Sequence, residues 1–519
     1  MTSVPDEGGR ASAPGDAWLV RLCGILVVAG ALVRVLIALS TTTYIPPDGL
    51  QYLNIARSLL DGAWGSLPTI PHYLYGVAIA AASLGVVDLA WAGRVVSLVS
   101  GLALIGVLGL LAGRVAGREA GWATAALTAV FPPLADASAV VLSESLFLFA
   151  ACSGLLLALR SLDGRARLDG GLAGVALGLA YLTRPEGFGV AVGCIALLLA
   201  FGVAGRSGWW ARPAAGHPLA GAAAAAVGFG LLLVPYVAYV HAVHGSWVLS
   251  GYQLNSDARA LTGALGADAA RSLAVGTDIL YSAFDANPWI RAVKVLRRAY
   301  LQGIPWLLPP LVLILVGAGV ARACEARPLY RWIFLAPFLL IAPVFAALTL
   351  PLVVPRYYLL TAALLLPVAG AGIVHVGRAR AWVGPAALVV VALSMAPDLW
   401  RIPATAARPS RELVAALRTL SDGGGGPLAT NSLPLLHLTG MDEDPVLQGR
   451  LRDTAPDSLV LGAAARGSYV AIQLRHDPTY DAGWDAVAGA GRAPRGMEVV
   501  GRYSAVGGPI VLYRVEGGP

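Results

Sequence analysis

Four short polar stretches interrupt an otherwise apolar chain, and they hold the residues able to do chemistry. The first is Pro46-Pro47-Asp48-Gly49-Leu50-Gln51-Tyr52, placed just after an apolar run. A carboxylate at a membrane edge can take the proton of an acceptor hydroxyl when it lies within hydrogen-bond reach. Burial near lipid would raise its pKa toward a useful value. Asp48 equally suits a plain helix N-cap, with Gln51 at the capping-box position, and the two roles are compatible. The second stretch runs from Phe131-Pro132 through Asp136 to Ser143-Glu144. Glu144 opens an apolar run and is either a functional acid or a solvated interfacial one; Asp136 reads as a loop residue. The third is Thr183-Arg184-Pro185-Glu186, where a guanidinium could clamp a phosphate bidentately or merely pair with Glu186 to end a helix. The fourth is Pro355-Arg356-Tyr357-Tyr358, whose arginine suits a phosphate or a snorkelling contact with headgroups.

Two acids and two arginines from different loops suit a substrate that combines a sugar, a phosphate and a long lipid. Other chemistries lack their signatures. Neither a phosphate-loop glycine pattern nor a dinucleotide fingerprint is present. There is no His-Glu-x-x-His helix, and His241 with His244 alone is a weak metal pair. Cys23, Cys152, Cys194 and Cys324 show no metal spacing and read as small core residues.

The elements that must position these residues are membrane spans. Of 519 residues, 57% are hydrophobic and only 13% charged, against about 25% charged in a soluble domain. So many apolar side chains need lipid as part of their solvent. Runs long enough to cross a bilayer fall near 18–40, 92–113, 119–134, 140–160, 170–183, 187–205, 218–242, 303–321, 329–350, 356–377 and 381–397, about eleven spans in all. The stretch 71–88 is also apolar but holds His72, Tyr73, Tyr75 and Asp88, so it reads as a re-entrant or interfacial segment. The run from Trp18 is too long for a signal-peptide core and reads as a retained span.

The basic residues sort by loop. Arg114 and Arg118, then Arg160, Arg165 and Arg167, then Arg206 and Arg212, then Arg322, Arg327 and Arg331, then Arg378 and Arg380 occupy alternate loops. The intervening short loops are nearly bare. Cytoplasmic loops carry the Lys/Arg excess, so a plasma-membrane protein with a cytoplasmic N-terminus and an extracytoplasmic C-terminus is expected. The net charge of +7 is accounted for by these clusters and does not indicate nucleic acid. The expected domains are a disordered N-terminus (1–17), a transmembrane domain (18–397, with a first external loop at 41–91 and a long one at 243–302) and an extracytoplasmic α/β domain (398–519). The last should contain an amphipathic helix over Ser410–Leu420, a linker at Gly423–Gly426 and strands at 468–474, 497–504 and 509–515.

The order of these motifs resembles the GT-C superfamily of membrane glycosyltransferases, nearest to its protein O-mannosyltransferase and aminoarabinose-transferase-like branch. The resemblance covers roughly residues 18–380. Its pieces are Asp48 with Tyr52 and Ala56, Phe131-Pro132 with Ser143-Glu144, Leu182 to Gly187, and Arg356-Tyr357-Tyr358; Ala429 to Gly440 looks like the external domain of several such proteins. It implies a GT-C-like helical arrangement and inverting transfer from a polyprenyl-phosphate sugar to a glycan, lipid or protein acceptor. Asp48 would be the base or acceptor-orienting acid and Glu144 the second acid. Arg184 and Arg356 would hold the lipid phosphate, with Tyr52, Tyr357 and Glu186 in the substrate-binding set. One departure matters: many relatives have a second acid where this chain has Gly49. A divalent metal is therefore left open, and no other cofactor is implied. The rival readings are a transporter or flippase, which would want inverted repeats, an O-antigen-ligase-like or polymerase enzyme built on the 243–302 loop, and a scaffold whose external domain binds a partner.

Overall fold

A computed structural model describes residues 14–40, 45–63, 72–85, 88–206, 217–245, 247–249, 304–325, 329–340, 355–405, 415–418, 428–430, 468–473, 493–494, 496–503 and 510–516, with isolated positions at 280–281, 293, 297, 300–301, 344 and 352–353. Contacts divide the chain into two compact units. One comprises Met1–Ala38 and Ile55–Trp400, the other Leu39–Asn54 and Arg401–Pro519.

The first unit is helical. Its helices are α1 (Pro14–Ser40), α2 (Pro47–Leu60, shared with the second unit), α3 (Leu74–Ser83), α4 (Leu89–Ala116), α5 (Arg118–Val130), α6 (Pro132–Ala139) and α7 (Glu144–Asp163). They continue as α8 (Ala166–Thr183), α9 (Glu186–Arg206), α10 (Pro218–His244), α11 (Pro310–Glu325), α12 (Tyr330–Leu335), α13 (Leu359–Gly377) and α14 (Val383–Thr405). Among the described residues, seven helices are long and apolar enough to cross a membrane: α1, α4, α7, α9, α10, α13 with its preceding turn, and α14. The chain is a multi-pass membrane protein. The segment expected to be re-entrant contains α3, whose ten residues reach about 15 Å, half a hydrocarbon core. Tyr75 anchors it to α4 by donating to the Gly93 carbonyl at 2.9 Å.

The span expected over 119–134 is corrected. α5 stops at Val130, since Phe131 is extended (φ −75°, ψ 114°) and Pro132 cannot donate to the helix ladder. The chain restarts as α6, so Asp136 lies on a helix and not in a loop. The carbonyls freed by this break are taken by Arg34, fully buried in α1. Its Nε donates to the Ala129 carbonyl at 3.2 Å, and Nη2 donates to that of Thr128. Its Nη1 reaches the Gly101 and Leu134 carbonyls at 3.2 Å each and the Ser138 hydroxyl at 2.7 Å.

Helices pack closely through small residues, as apolar lipid gives no hydrophobic drive between them. At Gly174 of α8 a Cβ would stand 2.8 Å from the backbone nitrogen of Phe229 and run into the Ala225 carbonyl of α10. Gly174→Leu is therefore expected to separate α8 from α10 and lower the melting temperature of the detergent-solubilised protein by several degrees. An unchanged melting curve would show that these helices do not pack in this way.

In the second unit the sheet consists of β1 (Leu428–Thr430), β2 (Tyr469–Gln473), β3 (Met497–Tyr503) and β4 (Ile510–Val515), in the order β1-β2-β4-β3. β1 is parallel to β2; the other pairs are antiparallel. Tyr469 to Ile472 of the inner strand β2 are all buried, as a strand flanked on both sides should be. Three of these strands lie within a residue or two of their expected positions. The expected helix is described only over 415–418, and the Gly423–Gly426 linker, the Asn431–Gly440 motif and most of the 243–302 loop lie outside the described residues.

Candidate active site

Glu144, Arg184, Glu186, Arg356 and Tyr357 meet at one end of the helical unit. Each is placed by a helix boundary. Glu144 stands in the first turn of α7 and Glu186 in that of α9, where the helix dipole favours a carboxylate. α8 stops at Thr183 because the residue before Pro185 is driven out of the helical region. Arg184 is accordingly extended (φ −150°, ψ 142°), with its backbone N–H donating to the Ala180 carbonyl. Arg356 and Tyr357 lie in a 3-10 turn, Pro355–Tyr358, that leads into α13.

The guanidinium of Arg184 is used as a fork. Nη1 donates to Glu144 Oε1 at 2.7 Å and Nη2 to Glu186 Oε1 at 3.1 Å. Its face is covered by the Tyr357 ring at 4.9 Å, a cation–π contact. Arg356 approaches the same Glu144 oxygen at 3.7 Å, beyond hydrogen-bond length. The exposures of the two arginines differ: the Arg184 side chain is 10% accessible and that of Arg356 35%. Of the two readings given to it by the sequence, Arg184 shows the pairing with Glu186 at a helix end, and its fork is spent on two carboxylates. Within the cluster, the donors of Arg184 hold carboxylates, and Arg356 Nε stands beyond hydrogen-bond length of Glu144.

The second oxygens, Glu144 Oε2 and Glu186 Oε2, are buried and accept no hydrogen bond. Buried acceptors of this kind are costly unless a partner arrives, so they are places for a substrate hydroxyl or a bridging water. No group of three or more His, Cys, Asp or Glu able to hold a metal occurs among the described residues. The two glutamates have a guanidinium between them, which makes this cluster a poor cation cradle.

Asp48 and Tyr52 belong to the second compact unit. The helix that carries Asp48 starts at Pro47, so Asp48 occupies the first turn and not the N-cap; proline is favoured at such a start. Tyr52 is buried.

Three residues of the first unit were not singled out by sequence as site residues. Asp136 reaches solvent, yet the protein around it raises its carboxyl to about 6, with the charge of Glu144 adding to the effect of burial. His72 is buried, stacked on Tyr236 at 5.2 Å and edge-on to Tyr181 at 5.2 Å. Burial first, and the Arg184 charge as well, push it down to about 3 against a backbone hydrogen bond to Tyr181 that pulls upward. The third is Arg34, whose signal was an arginine inside an apolar run.

The sign for His72 follows from linkage. An unfolded histidine takes up a proton near pH 6.5, whereas the folded one refuses it down to about 3. Stability contributed by this group is therefore full above pH 6.5 and lost as pH falls toward 3, by roughly 2 kcal/mol at pH 5. His72→Gln should flatten that part of the stability–pH curve, read as melting temperature at pH 7.5 and pH 5; parallel curves would contradict the neutral buried imidazole.

Comparison with known proteins follows the same lines. Residues 71–229 match a family described as dolichyl-phosphate-mannose-protein mannosyltransferase. No curated protein sequence matches significantly. Among solved structures the chain is similar to ArnT from Cupriavidus metallidurans bound to undecaprenyl phosphate, with a TM-score of 0.54 and 15% identity, covering 95% of this chain and 99% of that one. It is also similar to the oligosaccharyltransferase of Archaeoglobus fulgidus in its apo form (TM-score 0.56, 13% identity, 88% and 69% covered). The archaeal oligosaccharyltransferase AglB from the same organism, in complex with an inhibitory peptide and a dolichol-phosphate, gives a TM-score of 0.53 at 14% identity, with 89% and 70% covered.

Proposed function

We propose that this chain, which has the GT-C fold of membrane glycosyltransferases, moves a sugar from a polyprenyl-phosphate donor to an acceptor at the membrane surface. The family match and the fold support a lipid-linked donor, and nothing in them favours a transporter or flippase. The observation that carries the site reading is the buried Glu144–Arg184–Glu186 network with the looser Arg356 beside it.

In this reading Arg356 takes the donor phosphate. Its 3.7 Å approach to Glu144 is easily exchanged for charge-assisted bonds to phosphate oxygens. Arg184 keeps both glutamates oriented and adds positive charge near the leaving group. A single displacement follows, in which the acceptor oxygen attacks the anomeric carbon, the bond to the phosphate oxygen breaks, and the anionic lipid phosphate departs. Asp48, by the resemblance, accepts the acceptor's proton. Preorganised cations in a site poor in water stabilise the charge that develops on the phosphate. The site faces the extracytoplasmic side in this scheme, since the arginine-rich loops lie at the other end of α7.

The test is sugar transfer by purified protein in liposomes supplied with a polyprenyl-phosphate sugar. Arg356→Ala and Asp48→Asn should each lower turnover about 10²-fold or more while the proteins melt normally. Normal transfer by both variants would end the proposal.

A further inference from the structure

The helical unit carries a second cavity at the end away from Glu144. α7 runs from Glu144 to Asp163, about 28 Å of helix, which is close to the thickness of a hydrocarbon core. The cavity at its far end has a volume of about 840 Å³. Arg114, Arg118, Arg160 and Arg165 line it, and its apolar wall is the Gly106–Gly113 flank of α4 facing Trp122 of α5.

The two acids in this cavity are already matched. Asp163 receives Arg114 Nη2 at 2.6 Å, Arg331 Nη2 at 3.1 Å and the Tyr330 hydroxyl. Asp169 pairs with Arg160 at 3.4 Å. Four arginines against two aspartates leave an excess of two positive charges in the lining. Arg118 and Arg165 are exposed, and the Nε of Arg114 is buried with no hydrogen-bond acceptor. The apolar side is open as well: a Cβ at Gly106 would meet nothing within 4 Å, and Leu110 is 64% exposed. Gly109 and Gly113 close on Gly121 and Ala125 of α5, so the open apolar face of the lining is at Gly106 and Leu110.

We propose that this cavity binds an anionic phospholipid of the adjacent leaflet. The headgroup phosphate accepts from Arg118 and Arg165, and one acyl chain lies over the open face at Gly106 and Leu110. Charge complementarity selects the anion. The apolar face at Gly106 and Leu110 selects a lipid over a free phosphate, which would leave it uncovered. The proposal is independent of the chemistry at the other end of α7.

The test is native mass spectrometry of the full-length detergent-purified protein, titrated with phosphatidylglycerol and, separately, with phosphatidylcholine of the same acyl chains. Phosphatidylglycerol should be retained about tenfold more strongly. The Arg118→Ala/Arg165→Ala double variant should erase that preference. Gly106→Phe, which occupies the open space at Gly106, should weaken phosphatidylglycerol retention about fivefold with an unchanged melting temperature. Equal retention of the two lipids, or full retention by both variants, overturns the proposal. Displacement of the lipid by millimolar inorganic phosphate would also overturn it, by showing an ion site and not a lipid site.

Discussion

Arg184→Met is expected to cost roughly 3–5 kcal/mol of stability and to abolish transfer, the largest effect of any single substitution at the site. The guanidinium holds Glu144 at 2.7 Å and Glu186 at 3.1 Å, and both acids are almost fully buried. Removing it leaves two carboxylates facing each other in a poorly hydrated place. Their other oxygens already lack hydrogen bonds, and Arg356, 3.7 Å from Glu144 Oε1, can offset only part of the loss. The discriminating control is Arg184→Met combined with Glu144→Gln and Glu186→Gln. The triple variant should regain most of the lost melting temperature, because neutral amides need no counter-charge, and should remain inactive. A single variant that melts like the wild type would show that the fork does not exist.

Arg34→Leu is expected to be nearly as damaging, with a different signature. Five acceptors converge on this side chain: the carbonyls of Gly101, Thr128, Ala129 and Leu134 and the hydroxyl of Ser138. An orphaned buried acceptor costs about 1–3 kcal/mol. Some of the five can re-pair, so a net loss of about 3–5 kcal/mol is expected. The break at Phe131-Pro132 sits between α1 and the turn that leads to Glu144. Misplacing it should reduce turnover of the surviving folded fraction too. Arg34→Lys, which supplies three donors in place of five, should recover part of the stability. Wild-type melting of Arg34→Leu would remove the idea that α1 clamps the broken helix.

The two arginines differ in how plainly their neighbours along the chain mark them. Arg184 was visible because it is a polar break between two apolar runs, next to a proline that must end a helix. Arg34 passed unnoticed inside the first apolar run, because hydropathy averages over a window and one cation does not spoil it. The span expected over 119–134 runs through Pro132-Pro133 because the residues around them are apolar, whereas the prolines open the helix that follows. The positions of β2, β3 and β4 were legible from short apolar runs between turn residues. β1 was less so, since a three-residue strand carries little periodicity.

The sequence by itself determined that the chain lives in lipid and roughly where its helices begin and end. These are properties of composition and of neighbours along the chain, and apolar length, proline position and loop charge suffice to state them; the likeness to GT-C enzymes rests instead on a resemblance of motifs. Only the tertiary structure decided that Arg184 spends its fork on Glu144 and Glu186 while Arg356 stands looser, that Asp136 feels Glu144, and that four arginines close on one cavity at the opposite end. The Arg184–Glu144 pair joins residues 40 positions apart, and Arg114 meets Asp163 and Arg331 across longer separations still; such meetings follow from how helices cross and not from what lies beside each residue in the chain.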